Sequence, residues 1–100
     1  MTEKSIRVRS WVEAGEEDLR QGLLGWVGIE IGSLAIGNIT LRVTTSGRHA
    51  LAFPSRTSKS GQRHSIVAPL GDAARRKVER MIFEQLNDTY GLGIGSAGAT

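Results

Sequence analysis

A chain of 100 residues holds one domain, because two separate cores would not fit. Hydrophobic residues make up 39% of it and aromatics only 5%, so the core must be mostly aliphatic. Cysteine is absent, which excludes disulfides, thiolate metal sites and cysteine nucleophiles. The net charge is only +3, yet no Asp or Glu occurs between Glu30 and Asp72, a window that holds Arg42, Arg48, Arg56, Lys59, Arg63, His49 and His64.

Met1 to Arg9 has no apolar stretch of the signal-peptide kind. The longest apolar run, Gly22 to Gly32, is too short to cross a bilayer and contains Glu30. A cytoplasmic setting is therefore expected, and the sequons at Asn38 and Asn87 are read as chance. Ser5 to Val12 alternates, with Ile6, Val8 and Val12 on one side and Arg7, Arg9 and Trp11 on the other, which predicts a half-buried strand. Glu13 to Gln21 gathers four carboxylates around Gly15 and predicts an exposed acidic loop. Leu23 to Ile31 predicts a second strand, with Leu23, Val27, Ile29 and Ile31 on one face and Leu24, Trp26 and Glu30 on the other. Gly32-Ser33 is a tight-turn signal. In Leu34 to Thr44 the apolar positions switch from even (Leu34, Ile36) to odd (Ile39, Leu41, Val43). A β-bulge at Gly37-Asn38 restores their facing.

After Thr45-Ser46-Gly47, a fourth strand runs from His49 to Phe53 and stops at Pro54. Ser55 to Gly61 reads as a polar loop, and Gln62 to Ala68 as a short fifth strand ending at Pro69. From Asp72, a good N-cap, the period changes. Ala74, Val78, Met81, Ile82 and Leu86 then form one helical stripe that ends near Asn87. Residues 91–100 hold four glycines and no charge, and read as a disordered tail whose removal leaves the fold intact. The expected fold is α+β, a five-stranded antiparallel sheet followed by one C-terminal helix, in a single domain over residues 1–90. One helix covers one sheet face. The other face would expose Leu24, Trp26, Leu34 and Ile36, and homodimerisation is the simplest way to cover it.

The richest constellation is the loop. Arg56, Lys59 and Arg63 supply charge, while Ser55, Thr57, Ser58 and Ser60 supply hydroxyls, which is what contact with phosphates needs. Arg75, Arg76, Lys77 and Arg80 crowd the helix start. They oppose the macrodipole at about 0.3–1 kcal/mol each, partly offset by Arg75–Glu79 and Arg80–Glu84 spacing. A bound phosphate would relieve the rest. Arg42, Arg7 and Arg9 extend the basic footprint. With Trp11 in parity with Arg7 and Arg9, that strand face could stack single-stranded bases; a Trp in the core is the plainer reading. Residues 93–98 satisfy G-x-G-x-x-G, but no helix can follow, so no dinucleotide site is read there. His49 and His64 lack neighbours for a metal site, and no catalytic constellation is visible. The chain reads as non-enzymatic and without a cofactor.

Leu51-Ala52-Phe53-Pro54-Ser55-Arg56 resembles the stage V sporulation protein G (septation protein) family. That family has a strand running into a Pro-Ser-basic segment, a Gly-containing loop, a strand ending Ile-x-x-Pro and a C-terminal helix. Pro54, Ser55, Arg56, Gly61, Ile66, Pro69, Arg75 and Lys77 fall into that frame without a gap, and Ile6-Arg7-Val8-Arg9 is similar to its opening strand. The likeness covers Ser5 to Leu86 and is best over Leu51 to Lys77. The sequence departs from the pattern at Thr57 and Arg63, in the longer acidic loop, and at an insertion over Thr44 to His49. The resemblance implies a small homodimeric bacterial regulator that binds DNA and RNA.

Charge and resemblance converge on a nucleic-acid-binding homodimer using Arg56, Lys59, Arg63, Arg75, Arg76 and Arg42, by phosphate neutralisation. Two other classes stay open. One is a protein-interaction module whose basic patch meets an acidic surface. The other is a single-strand-binding dimer similar to coactivators with a four-stranded sheet and a C-terminal helix. A small enzyme ranks behind both.

Overall fold

Four successive strand segments, the last three joined by short turns, pair most cheaply with their neighbours in sequence, and the chain does this. A computed structural model describes residues 6–94. Strands β1 (Ile6–Glu13), β2 (Leu23–Ile31), β3 (Leu34–Val43) and β4 (His49–Ala52) form one antiparallel sheet in the order β1-β2-β3-β4. A short helix, α1 (Glu16–Arg20), occupies the segment expected to be an acidic loop. The long helix α2 (Asp72–Tyr90) lies across one sheet face.

The sheet has four strands, not five. The expected fifth strand shortens to β6 (Arg63–Ser65). It pairs with β5 (Ser55–Thr57), which lies in the segment expected to be a loop, to form a separate two-stranded hairpin. Pro54, which has no N–H to donate, separates β4 from this hairpin. The hairpin strands carry no alternating apolar residues, so they have nothing to bury against the sheet.

Register decides which side chains reach the core. In β3 the expected bulge forms: Val27 pairs with Ile39 but Ile29 pairs with Ile36, leaving one extra residue on β3. Asn38 adopts φ 59°, a left-handed conformation that Asn tolerates better than most residues. A second bulge, at Arg9, was not anticipated. Val8 pairs with Ile29 while Ser10 pairs with Gly28. It reverses the facing of the rest of β1. Trp11 joins the core side opposite Val27, and Val12 turns outward at 57% exposure. A third irregularity lies at Leu24, which packs against the core.

Val27, Ile29, Ile39, Leu41 and Leu51 of the sheet meet Ile82, Phe83 and Leu86 of α2 in one aliphatic core. Gly71, with φ 111°, occupies the N-cap position expected for Asp72, and Asp72 is the first helical residue. Its carboxylate there still meets the positive end of the helix. The helix runs past Asn87 to Tyr90 and stops at Gly91 in a left-handed conformation of φ 64°. The chain then turns back onto the core instead of trailing away. Ile94 is only 4% exposed, and Leu92 packs on the core cluster. The Asn87 side-chain amide donates to the Ile94 carbonyl at 2.8 Å and accepts from its N–H at 2.6 Å. The expected tail therefore begins after Ile94 at the earliest, and residues 95–100 lie outside the described residues.

Helix α2 also holds both edges of the sheet. At the β1 edge, the Gln85 amide accepts from the Val8 N–H at 2.7 Å and donates to the Ile6 carbonyl. At the β4 edge, Arg75 donates to the Leu51 carbonyl at 3.1 Å, and Glu79 accepts from the Leu51 N–H at 3.3 Å. Polar side chains thus engage backbone groups that an edge strand leaves unpaired.

Candidate nucleic-acid interface

The hairpin β5–β6 is an arm. Its strands make their main contacts with each other, and its base is held where the Ile66 and Val67 N–H groups donate to the Pro54 carbonyl at 2.9 and 3.3 Å. Its tip is a tight three-residue loop. The Gly61 N–H donates to the Ser58 carbonyl at 2.9 Å, and the Ser58 N–H donates to the Gln62 carbonyl at 2.8 Å. Gly61 takes φ 87°, a conformation that favours glycine. The Ser58 hydroxyl accepts from the Gln62 N–H at 3.2 Å and lies 2.9 Å from the Ser60 hydroxyl. This wiring also occurs between β3 and β4, where Thr44, Ser46, Gly47 and Arg48 make the matching bonds. The two turns share the pattern Ser/Thr-x-Ser-Gly, a short local repeat.

Arg56, Lys59, Arg63 and His64 are all exposed on this arm. Arg56 stands opposite His64, and Thr57 opposite Arg63. The Arg63 Nε donates to the Ser55 hydroxyl at 3.0 Å, which lays the guanidinium along the hairpin. None of Arg42, Arg48, Arg56, Lys59 or Arg63 has a carboxylate within ion-pair range among the described residues. Ile66, which follows β6 directly and was read as part of a strand, is 62% exposed, and Leu70, in the link to α2, is 96% exposed, a residue that sequence reasoning did not single out.

The other expected site residues separate. Arg75 is tied to the joint between α2 and β4, through the Leu51 carbonyl and an ion pair of 3.5 Å with Glu79. That arrangement accounts for one of the cations crowding the helix start. Arg76 is exposed on the same turn. Arg42 is not on the arm. It pairs with Ala50 toward the β3–β4 turn, whereas the arm leaves from the other end of β4. Trp11 does not share a face with Arg7; it packs against the core, over Gly25. The basic strand face expected around Trp11 is thus withdrawn, and the aromatic on the open side of the sheet is Trp26. Of the apolar patch expected there, Leu24 and Ile36 pack against the core, and Leu34 is exposed near the Gly32-Ser33 turn. No cluster of potential metal ligands occurs among the described residues, and no described helix is long and apolar enough to cross a membrane.

No family model matches this chain, and neither does any curated protein or solved structure in the comparisons made.

Proposed function

We propose that the protein binds nucleic acid as a small cytoplasmic regulator, contacting phosphates through Arg56, Lys59 and Arg63 of the arm, with Arg76 at the helix start. The observation that carries this reading is the arm itself: exposed, hydroxyl-rich, free of carboxylates and standing apart from the core. Arg75 contributes field at the helix start, and Arg42 contributes from a separate surface. The run from Pro54 to Lys77 supports membership of the stage V sporulation protein G family as part of the same proposal. A homodimer belongs to the same proposal, with exposed Ile66 and Leu70 offering a better apolar surface for it than Leu24, which packs against the core.

Replacing Arg56, Lys59 and Arg63 together with Ala tests it. The fold should be retained, because these side chains are exposed and, among the described residues, form no ion pair. Affinity should fall to a similar degree for every sequence, since phosphate contacts carry no sequence information. If all three touch duplex phosphates, the slope of log K against log salt should shrink by about 2.7, or roughly 0.9 per contact. Unchanged affinity and slope would remove the arm from the site. The exposed Ile66 and Leu70 that follow the arm in sequence also suit an acidic, partly apolar protein surface. Retention of such a partner with no measurable affinity for nucleic acid would favour that second reading.

A further inference from the structure

Among the described residues, the sheet face opposite α2 carries exposed Val12 and partly exposed Trp26, Thr40 and Ala52, and its composition is unusual for a surface awaiting a second protein. The row across it at mid-sheet is Val12, Trp26, Thr40 and Ala52 in register. Trp26 is partly exposed and stands outside the core cluster. Around it the floor is low: Gly28 and Ser10 on one side, Ala50 and Ala52 on the other. Gly28 leaves an opening into which the Arg9 and Ser10 side chains fold. Three guanidinium groups rim this floor. Arg7 faces out opposite Glu30, Arg9 lies 3.9 Å from that carboxylate, and Arg42 follows Thr40 by two positions on β3. Two residues on, across one strand, is within reach of a long side chain.

We infer that this face is a second nucleic-acid surface, on which a base of a single strand stacks on Trp26 while Arg42, Arg9 and Arg7 meet the flanking phosphates. The inference rests on the nucleic-acid reading above and extends it from phosphate neutralisation to single-strand selectivity. One large, partly exposed ring on a floor of small residues suits a planar base, and the three cations against one carboxylate match the charge of a strand. A second copy of this chain would meet little here besides Trp26 and Val12.

The test compares a labelled oligothymidylate with a duplex of the same length, against wild type, Trp26→Ala, Trp26→Phe and the arm triple variant. Trp26→Ala should weaken single-strand binding by about tenfold, the loss expected for one stacked base, and leave duplex binding unchanged. Trp26→Phe should restore most of it. The arm variant should weaken duplex binding, whatever happens on the sheet. Equal oligothymidylate affinity for wild type and Trp26→Ala overturns the sheet surface while leaving the arm standing. A loss confined to Trp26→Ala, with the arm variant unaffected, does the reverse. If Trp26→Ala lowers the molecular mass with no change in binding, the face is an interface between copies and the inference fails. Should Trp26→Ala not fold, quenching of wild-type fluorescence by oligothymidylate serves instead. Its persistence in Trp26→Phe, where only Trp11 emits, would overturn the assignment.

Discussion

Cutting the chain after Gly91 will lower the melting midpoint by more than about 10 °C. Nothing in the composition of the last ten residues announces this. The structural reason is that Ile94 is buried, Leu92 packs beside it, and both sides of the Asn87 amide are committed to the Ile94 backbone. Losing a buried Ile costs about 2–5 kcal/mol even when the backbone stays. For a domain of this size each kcal/mol is worth roughly 4–8 °C. Ile94→Ala alone should show most of the effect, and Ile94→Val about 1 kcal/mol or less. A truncated protein that melts with the wild type would mean that the turn at Gly91 does not hold the segment in place.

Gly25→Ala is the second large effect. A Cβ at Gly25 would lie 2.4 Å from the Trp11 ring and equally close to the Val12 carbonyl oxygen. One obstacle is an indole wedged against the core and the other is backbone, so neither yields cheaply. Overpacking of this kind costs typically about 1–3 kcal/mol, and this site belongs at the upper end. Trp11 should be displaced, with a change in near-ultraviolet dichroism. Adding Trp11→Leu should recover part of the loss but not all, because the clash with Val12 remains. Gly28→Ala makes a useful contrast. The nearest atom there is the hydroxyl of Ser10, the free end of a small side chain, so the cost should be markedly lower. Equal destabilisation by the two substitutions would contradict the placement of Trp11.

These cases mark where the sequence could be read and where it could not. The bulge in β3 was legible because clear apolar positions flank it on both sides, Leu34 and Ile36 before, Ile39 and Leu41 after. The bulge in β1 was not. Beyond Arg9 the chain presents Trp11 and Val12 side by side, both apolar, so alternation is satisfied whichever of them faces inward. One slipped residue then moved the aromatic from a basic surface to the core. The arm was illegible as a hairpin because Ser55–Thr57 and Arg63–Ser65 bury nothing, and period-2 patterning exists only where one face is buried. Its turn carried a signal all the same, the echo of Thr44 to Gly47 in Ser58 to Gly61. The docked C-terminal segment offers two apolar residues among glycines, too few for any periodicity. At the candidate site, charge segregation was visible in the sequence, and among the described residues the arm cations have no carboxylate in ion-pair range. The commitment of Arg75 to Leu51 depended on where β4 would lie against α2, which no local pattern encodes.

The way α2 holds the sheet by both margins has a dynamic consequence. Gln85 fastens Val8, and Glu79 fastens Leu51, so lifting one helix frees the amides of two strands that never touch each other. Their protons are guarded by a single opening event. Hydrogen exchange at Val8 and at Leu51 should therefore report the same opening free energy and shift together when the helix is weakened, as members of one cooperative unit drawn from opposite ends of the sheet.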